Sequence, residues 1–137
     1  MMADAQPVLS LYDEPFWAAM AEGRLELQSC ASCARFRYPP APVCPDCLSM
    51  DYAWTPVSGR GEILSWVIFH RQYFDDFPPP YNAIAVRLEE GPILVSNLMG
   101  IMPVGNWIGE PVQLTCRQHE GRRQHAFEWA GAGAEGA

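Results

Sequence analysis

The sequence predicts a mainly β chain: a short N-terminal helix, a four-cysteine ribbon, then a five-stranded Greek-key barrel of the OB type. Three observations lead there. Two Cys-x-x-Cys pairs, Cys30/Cys33 and Cys44/Cys47, stand ten residues apart. From Gly59 onward the pattern is strand and turn only. The first of those strands is long, and one long connection, Gly100 to Glu110, separates the third from the fourth.

Taken in order, residues 1–10 carry no periodicity and read as a loose arm. Asp13 to Gly23 follows as a helix, with Asp13 as its cap, Pro15 in the first turn and Gly23 at its end. Phe16, Trp17 and Met20 make an apolar stripe. It suits packing on this chain or on a partner, and the shortness of the helix favours a partner. Arg24 to Gln28 alternates and enters the first cysteine pair; Arg35 to Tyr38 is a second strand, Pro39 to Pro42 a stiff return, and Tyr52 to Val57 an exit strand.

Two residues between thiolates let one tight turn aim both sulfurs at one ion, so the two pairs supply a tetrahedron. Zinc is the expected ion at Cys30, Cys33, Cys44 and Cys47. Rubredoxin-like iron uses the same ligands, and a disulfide pair or a redox Cys-x-x-Cys are the other readings. A closed thiolate set leaves no position for water or substrate, which makes the metal structural. A ribbon of this size cannot hold itself together by hydrophobic burial alone.

Barrel strands are expected at Glu62 to His70, with a glycine bulge near Gly59-Arg60-Gly61, then at Asn82 to Glu89, Ile93 to Leu98, Val112 to Arg117 and Gln124 to Trp129. Glu90-Gly91 and Glu120-Gly121 mark hairpins. The division that follows is an arm and helix at 1–23, a ribbon at 24–57, a barrel at 58–130 and a disordered tail at 131–137.

The net charge of −7 weighs against a nucleic-acid surface, although zinc ribbons and OB barrels both serve in single-strand binding. Every one of the nine basic residues is Arg, which removes Schiff-base and Walker-lysine chemistry. No apolar run reaches the roughly eighteen residues of a membrane span, and the start lacks a secretory pattern. Four metal-spaced cysteines and one odd one, Cys116, fit a reducing cytoplasm.

Outside the ribbon, Arg71 to Tyr81 packs four aromatics (Tyr73, Phe74, Phe77, Tyr81) and three prolines into eleven residues. The loop reads as a partner-binding or lid loop, or as a plug for the barrel mouth. Arg24, Arg35 and Arg37 suit phosphate oxygens or a solvated face. His70, at a strand end, is a conceivable base but more in keeping with a structural role; His119 and His125 have no recognisable partner, and Cys116 reads as an inert thiol. There is no Gly-x-Ser-x-Gly, His-Glu-x-x-His or phosphate loop, so no catalytic residue is assigned and a free-standing enzyme is disfavoured.

The chain resembles the domain-of-unknown-function 35 family. The resemblance rests on Pro15-Phe16-Trp17, Gly23-Arg24-Leu25, the two Cys-x-x-Cys pairs, Tyr38-Pro39-Pro40 and Gly59-x-Gly61. Pro80-Tyr81, Glu90-Gly91 and Ile108-Gly109-x-Pro111-Val112 continue it, over about residues 14–129. It implies a rubredoxin-like zinc ribbon joined to an OB-fold, an acyl-CoA-associated protein of lipid metabolism that accompanies thiolase-fold enzymes. Among these are the lipid-transfer-type aldolases of steroid side-chain degradation; other members pair with enoyl-CoA hydratases. The resemblance makes Phe16, Trp17, Met20, Tyr73, Phe74, Phe77 and Tyr81 candidates for a partner or acyl-CoA interface, and Arg24, Arg35 and Arg37 candidates for coenzyme A phosphates. The expected function is thus a non-catalytic accessory subunit of a thiolase-like complex performing retro-aldol or thiolytic cleavage. A single-stranded nucleic-acid module and a stand-alone acyl-CoA binder or enzyme are the rivals.

Overall fold

The computed structural model describes residues 10–119 and 121–130. Most of the arm and all of the tail expected from the sequence lie outside these residues. The elements are a helix α1 (Asp13–Ala21), three strands β1 (Glu26–Cys30), β2 (Phe36–Arg37) and β3 (Tyr52–Pro56), then five strands. These are β4 (Arg60–Phe69), β5 (Tyr81–Leu88), β6 (Ile93–Ser96), β7 (Pro111–His119) and β8 (Arg122–Trp129).

The helix begins differently from expectation. Asp13 is its first residue and does not cap it; its carboxylate accepts from the Ser10 amide at 3.1 Å and the Ser10 hydroxyl at 2.7 Å. Ser10 starts the turn, its carbonyl receiving the Asp13 and Glu14 amides, so Asp13 acts as the back-reaching member of a capping pair. The far end is as expected. Gly23 takes φ +84°, and the Gly23 and Arg24 amides close on the Met20 and Ala19 carbonyls in a Schellman arrangement.

β1 pairs antiparallel with β2 on one side and β3 on the other. The second sheet has the order β6-β5-β4-β7-β8. Its two outer strands meet where Leu98 bridges Phe127 in parallel, with the Phe127 amide donating to Asn97 and the Met99 amide to Phe127. That contact closes the curled sheet into the OB-type barrel. The buried side chain of Asn82 secures it, donating to the Leu98 carbonyl and accepting from the Leu98 amide at 2.9 and 2.7 Å.

The long first barrel strand lies between two partners. Over Gly61–Phe69 it pairs with β5, while Arg60–Glu62 also pairs with β7. The bulge sits between Ile63 and Ser65 and not at the glycines. Gly61 instead permits close packing. A Cβ there would lie 2.5 Å from the Arg87 carbonyl oxygen, so only glycine lets the strands approach this closely.

One core serves the molecule. Phe16 and Met20 of α1 and Leu25 and Leu27 around β1 pack with Ile63, Ile84, Leu94 and Phe127 of the barrel. Trp107, buried on the long crossover after β6, stacks on Trp66 with ring centroids 4.4 Å apart.

Candidate functional site

The four cysteines converge. Each Cys-x-x-Cys folds into the same turn, and the repetition is visible in the backbone. The amides of Ala34 and Leu48 donate back to the carbonyls of Cys30 and Cys44, and the amides of those cysteines donate to the carbonyls of Arg35 and Ser49. Ala34 and Leu48 both take positive φ, +66° and +65°, the only non-glycine residues to do so among the described residues. Two identical knuckles therefore face each other, at the cost of left-handed backbone at two β-carbon-bearing residues.

All four Sγ atoms lie within 4.8 Å of one another, with Cys30–Cys47 at 3.4 Å and Cys33–Cys44 at 3.6 Å. These separations are far beyond a disulfide bond of about 2.05 Å. They approach the roughly 3.8 Å edge of a thiolate tetrahedron around an ion with 2.3 Å metal–sulfur bonds. The donor set fits a metal. The local amides favour two of the four thiolates: Cys33 and Ser32 N–H groups aimed at the Cys30 sulfur hold that thiol down at about 6, and the Cys47 and Asp46 amides lower Cys44, while burial and the neighbouring sulfurs push Cys33 and Cys47 up.

The proposed interface residues divide. Phe16 and Met20 are at most 1% exposed and face this chain's own core, so the expectation of a partner stripe on α1 is corrected. The helix is two turns long and is stabilised by burial in its own barrel. Trp17 stacks on the His125 ring at 5.4 Å. The aromatic loop divides between core and surface. Phe77 and Tyr81 turn inward, Tyr81 stacking on Phe69 at 4.8 Å and Phe77 lying under the Arg117 guanidinium at 4.2 Å. Tyr73 and Phe74 stay exposed.

Arg24, Arg35 and Arg37 each have partners within this chain. Arg24 is engaged by Glu22 and Glu26, and Arg35 by Asp46. Arg37 is buried, donating to Gln28 Oε1 and the Ala41 carbonyl and lying over the Tyr52 ring. A groove of about 500 Å³ is lined by Arg35 and Arg37, but Glu90 lines it too and brings a carboxylate that repels phosphate. His70 is exposed at the end of β4, and Cys116 is half-buried with its sulfur 3.9 Å from that of Met20.

Two features escaped the sequence. The Ser96 hydroxyl lies 2.8 Å from His125 Nδ1 and also donates to the His125 carbonyl at 3.1 Å. The hydroxyl thus bridges the ring nitrogen and the backbone carbonyl of one residue, tying β6 to β8. The signal was the inward position of Ser96 beside Leu94 on an alternating strand, which demands a partner. The second feature is the crossover. Met99, Ile101, Val104 and Ile108 are exposed there, 40%, 89%, 103% and 58% respectively. Its sequence signal was the absence of any charged residue from 99 through 109.

Residues 17–52 match the family model of the ChsH2 rubredoxin-like zinc ribbon domain, and residues 54–117 that of the ChsH2 C-terminal OB-fold domain. A probable enoyl-CoA hydratase alpha subunit of Thermomonospora curvata is 41% identical over 103 residues, 74% of this chain and 32% of that protein. The 3-oxo-4,17-pregnadiene-20-carboxyl-CoA hydratase alpha subunit of Mycobacterium tuberculosis is 31% identical over 100 residues, 73% of this chain and 32% of that one. The chain thus spans about a third of the length of these two relatives. Among solved structures, a chain of an Ltp2-ChsH2(DUF35) aldolase superposes with a TM-score of 0.85 at 33% identity, covering 92% of this chain and 100% of that chain.

Proposed function

The chain belongs to the ChsH2 (DUF35) family of rubredoxin-like zinc ribbons joined to an OB-fold, and from that membership we propose that it is a non-catalytic accessory subunit of a thiolase-fold enzyme acting on an acyl-CoA. The observation that carries this reading is the match, over 92% of this chain and all of the other, to a chain of an Ltp2-ChsH2(DUF35) aldolase. The relative named for a pregnadiene carboxyl-CoA supports a bulky, steroid-derived acyl group, and the aldolase supports retro-aldol cleavage by the complex.

Zinc is the ion proposed for Cys30, Cys33, Cys44 and Cys47. Bound there it supplies folding energy, since four thiolates leave no coordination position for substrate. The chain's own residues agree with a supporting role. Its Ser96–His125 contact joins β6 to β8, and the ring packs against Trp17 and Phe16.

Native mass spectrometry of the untagged protein drawn from its own cells tests this. The expected result is a larger thiolase-fold polypeptide bound to this chain with one zinc per copy, and carbon–carbon cleavage by the assembly but not by the chain alone. A chain that runs alone, or that turns over acyl-CoA unaided, overturns the proposal.

A further inference from the structure

Loop 71–81 and the crossover 99–108 come together around a pocket of about 260 Å³. Its apolar walls are Phe77, Pro80, Tyr81, Leu98, Met99 and Met102. Its floor is polar: Arg117 donates to the Asp76 carbonyl at 3.2 Å and pairs with the Asp76 carboxylate at 3.5 Å, tying the first loop to β7. The second loop is also fixed. Trp107 is 1% exposed, stacks on Trp66 and donates to the Pro103 carbonyl at 2.9 Å. A deeply anchored loop thus presents Ile101 and Val104 almost fully to solvent. Holding such side chains in a set shape lowers the entropy lost on docking, and leaving them uncovered is unusual for a soluble surface.

We propose that these two loops form the docking surface for the protein partner, with the pocket taking one large apolar side chain from it. This rests on the accessory-subunit reading and says where the partner sits. Three observations choose a protein as occupant. The pocket is smaller than the roughly 300–1,000 Å³ of sites that bury a whole small molecule, so it fits a side chain and not coenzyme A. A net charge of −7 and a crossover without a single Lys or Arg oppose an anionic membrane or a nucleic acid. An apolar anchor pocket beneath exposed aliphatic and aromatic groups is the arrangement of a protein interface centre.

The test places a photo-reactive phenylalanine analogue at Val104, or at the exposed Val95 of β6 as a comparison, in the protein expressed in its own cells. Cross-linking of a thiolase-fold polypeptide from position 104 and not from 95 is the expected result. Cross-links to that polypeptide from 95 alone, or from 104 only to a second copy of this chain, overturn the surface and leave the accessory role intact. Absence of any thiolase-fold polypeptide from the native assembly overturns both. The double variant Ile101→Asp/Val104→Asp should weaken association at least 100-fold while its unfolding midpoint stays within a few degrees, because neither side chain is in the core. Unchanged association overturns the proposal, as does retention on neutral phosphatidylcholine vesicles that the double variant abolishes.

Discussion

A single imidazole carries the clearest pH dependence in the molecule. The His125 ring sits between Trp17 and Phe16 with Ser96 on Nδ1, and burial pushes its pKa down to about 4. In the unfolded chain it titrates near 6.5. Between these values the unfolded state binds a proton that the folded state refuses, so stability falls as pH drops through 6.5 toward 4 and is unaffected by this group above 6.5. The slope contributed approaches about 1.4 kcal/mol per pH unit in that window. Denaturant titrations from pH 6.5 to 5 should show His125→Phe losing less stability on acidification than the parent chain. Parallel slopes would mean that the ring is solvated. None of this was legible at the residue scale, because Ser96 and His125 lie 29 positions apart and meet only through barrel closure. The four cysteines were legible because the ligand spacing is itself local.

The first barrel strand shows how an element depends on what it lacks. β4 runs between β5 and β7 at Gly61, and the Arg87 carbonyl and the Val86 side chain press on the space where a β-carbon would stand. Gly61→Ala forces backbone to move, an overpacking cost of roughly 1–3 kcal/mol. Thermal unfolding should therefore fall by several degrees, with Ser65→Ala on the exposed face nearly neutral; an unchanged midpoint for Gly61→Ala would show that the strands can separate freely. Elements were read well where periodicity and turn residues agree, as in β5, β6 and the Glu90-Gly91 hairpin. They were misread where tertiary packing decides. The bulge went to Ile63–Ser65 because the glycines were needed for close approach, and the stripe on α1 turned inward because the barrel offered it a core.

At the scale of the whole molecule, the ribbon and the barrel share a core, and one ribbon strand reports on both. β1 ends in the ligand Cys30, while Leu27 in the same five residues is 1% exposed within the common core. Leu25 just before it joins that core, and its carbonyl receives the Val57 amide from the segment leading into the barrel. Stripping the metal leaves four thiols crowded within 4.8 Å and no ion to hold the knuckles, so β1 loses its anchor at one end. The disturbance then runs along β1 to Phe16, Met20 and the barrel residues packed on them. Chelation, or Cys44→Ser, should lower the unfolding midpoint by on the order of 10 °C or more. Near-ultraviolet circular dichroism of the stacked Trp66–Trp107 pair follows the barrel, and far-ultraviolet signal follows the whole chain. Coincident transitions at the lower temperature are the outcome required of a single cooperative unit. A barrel signal that keeps its midpoint after metal loss would mean that the ribbon is an appended module, and the shared core would then contribute little to coupling the two.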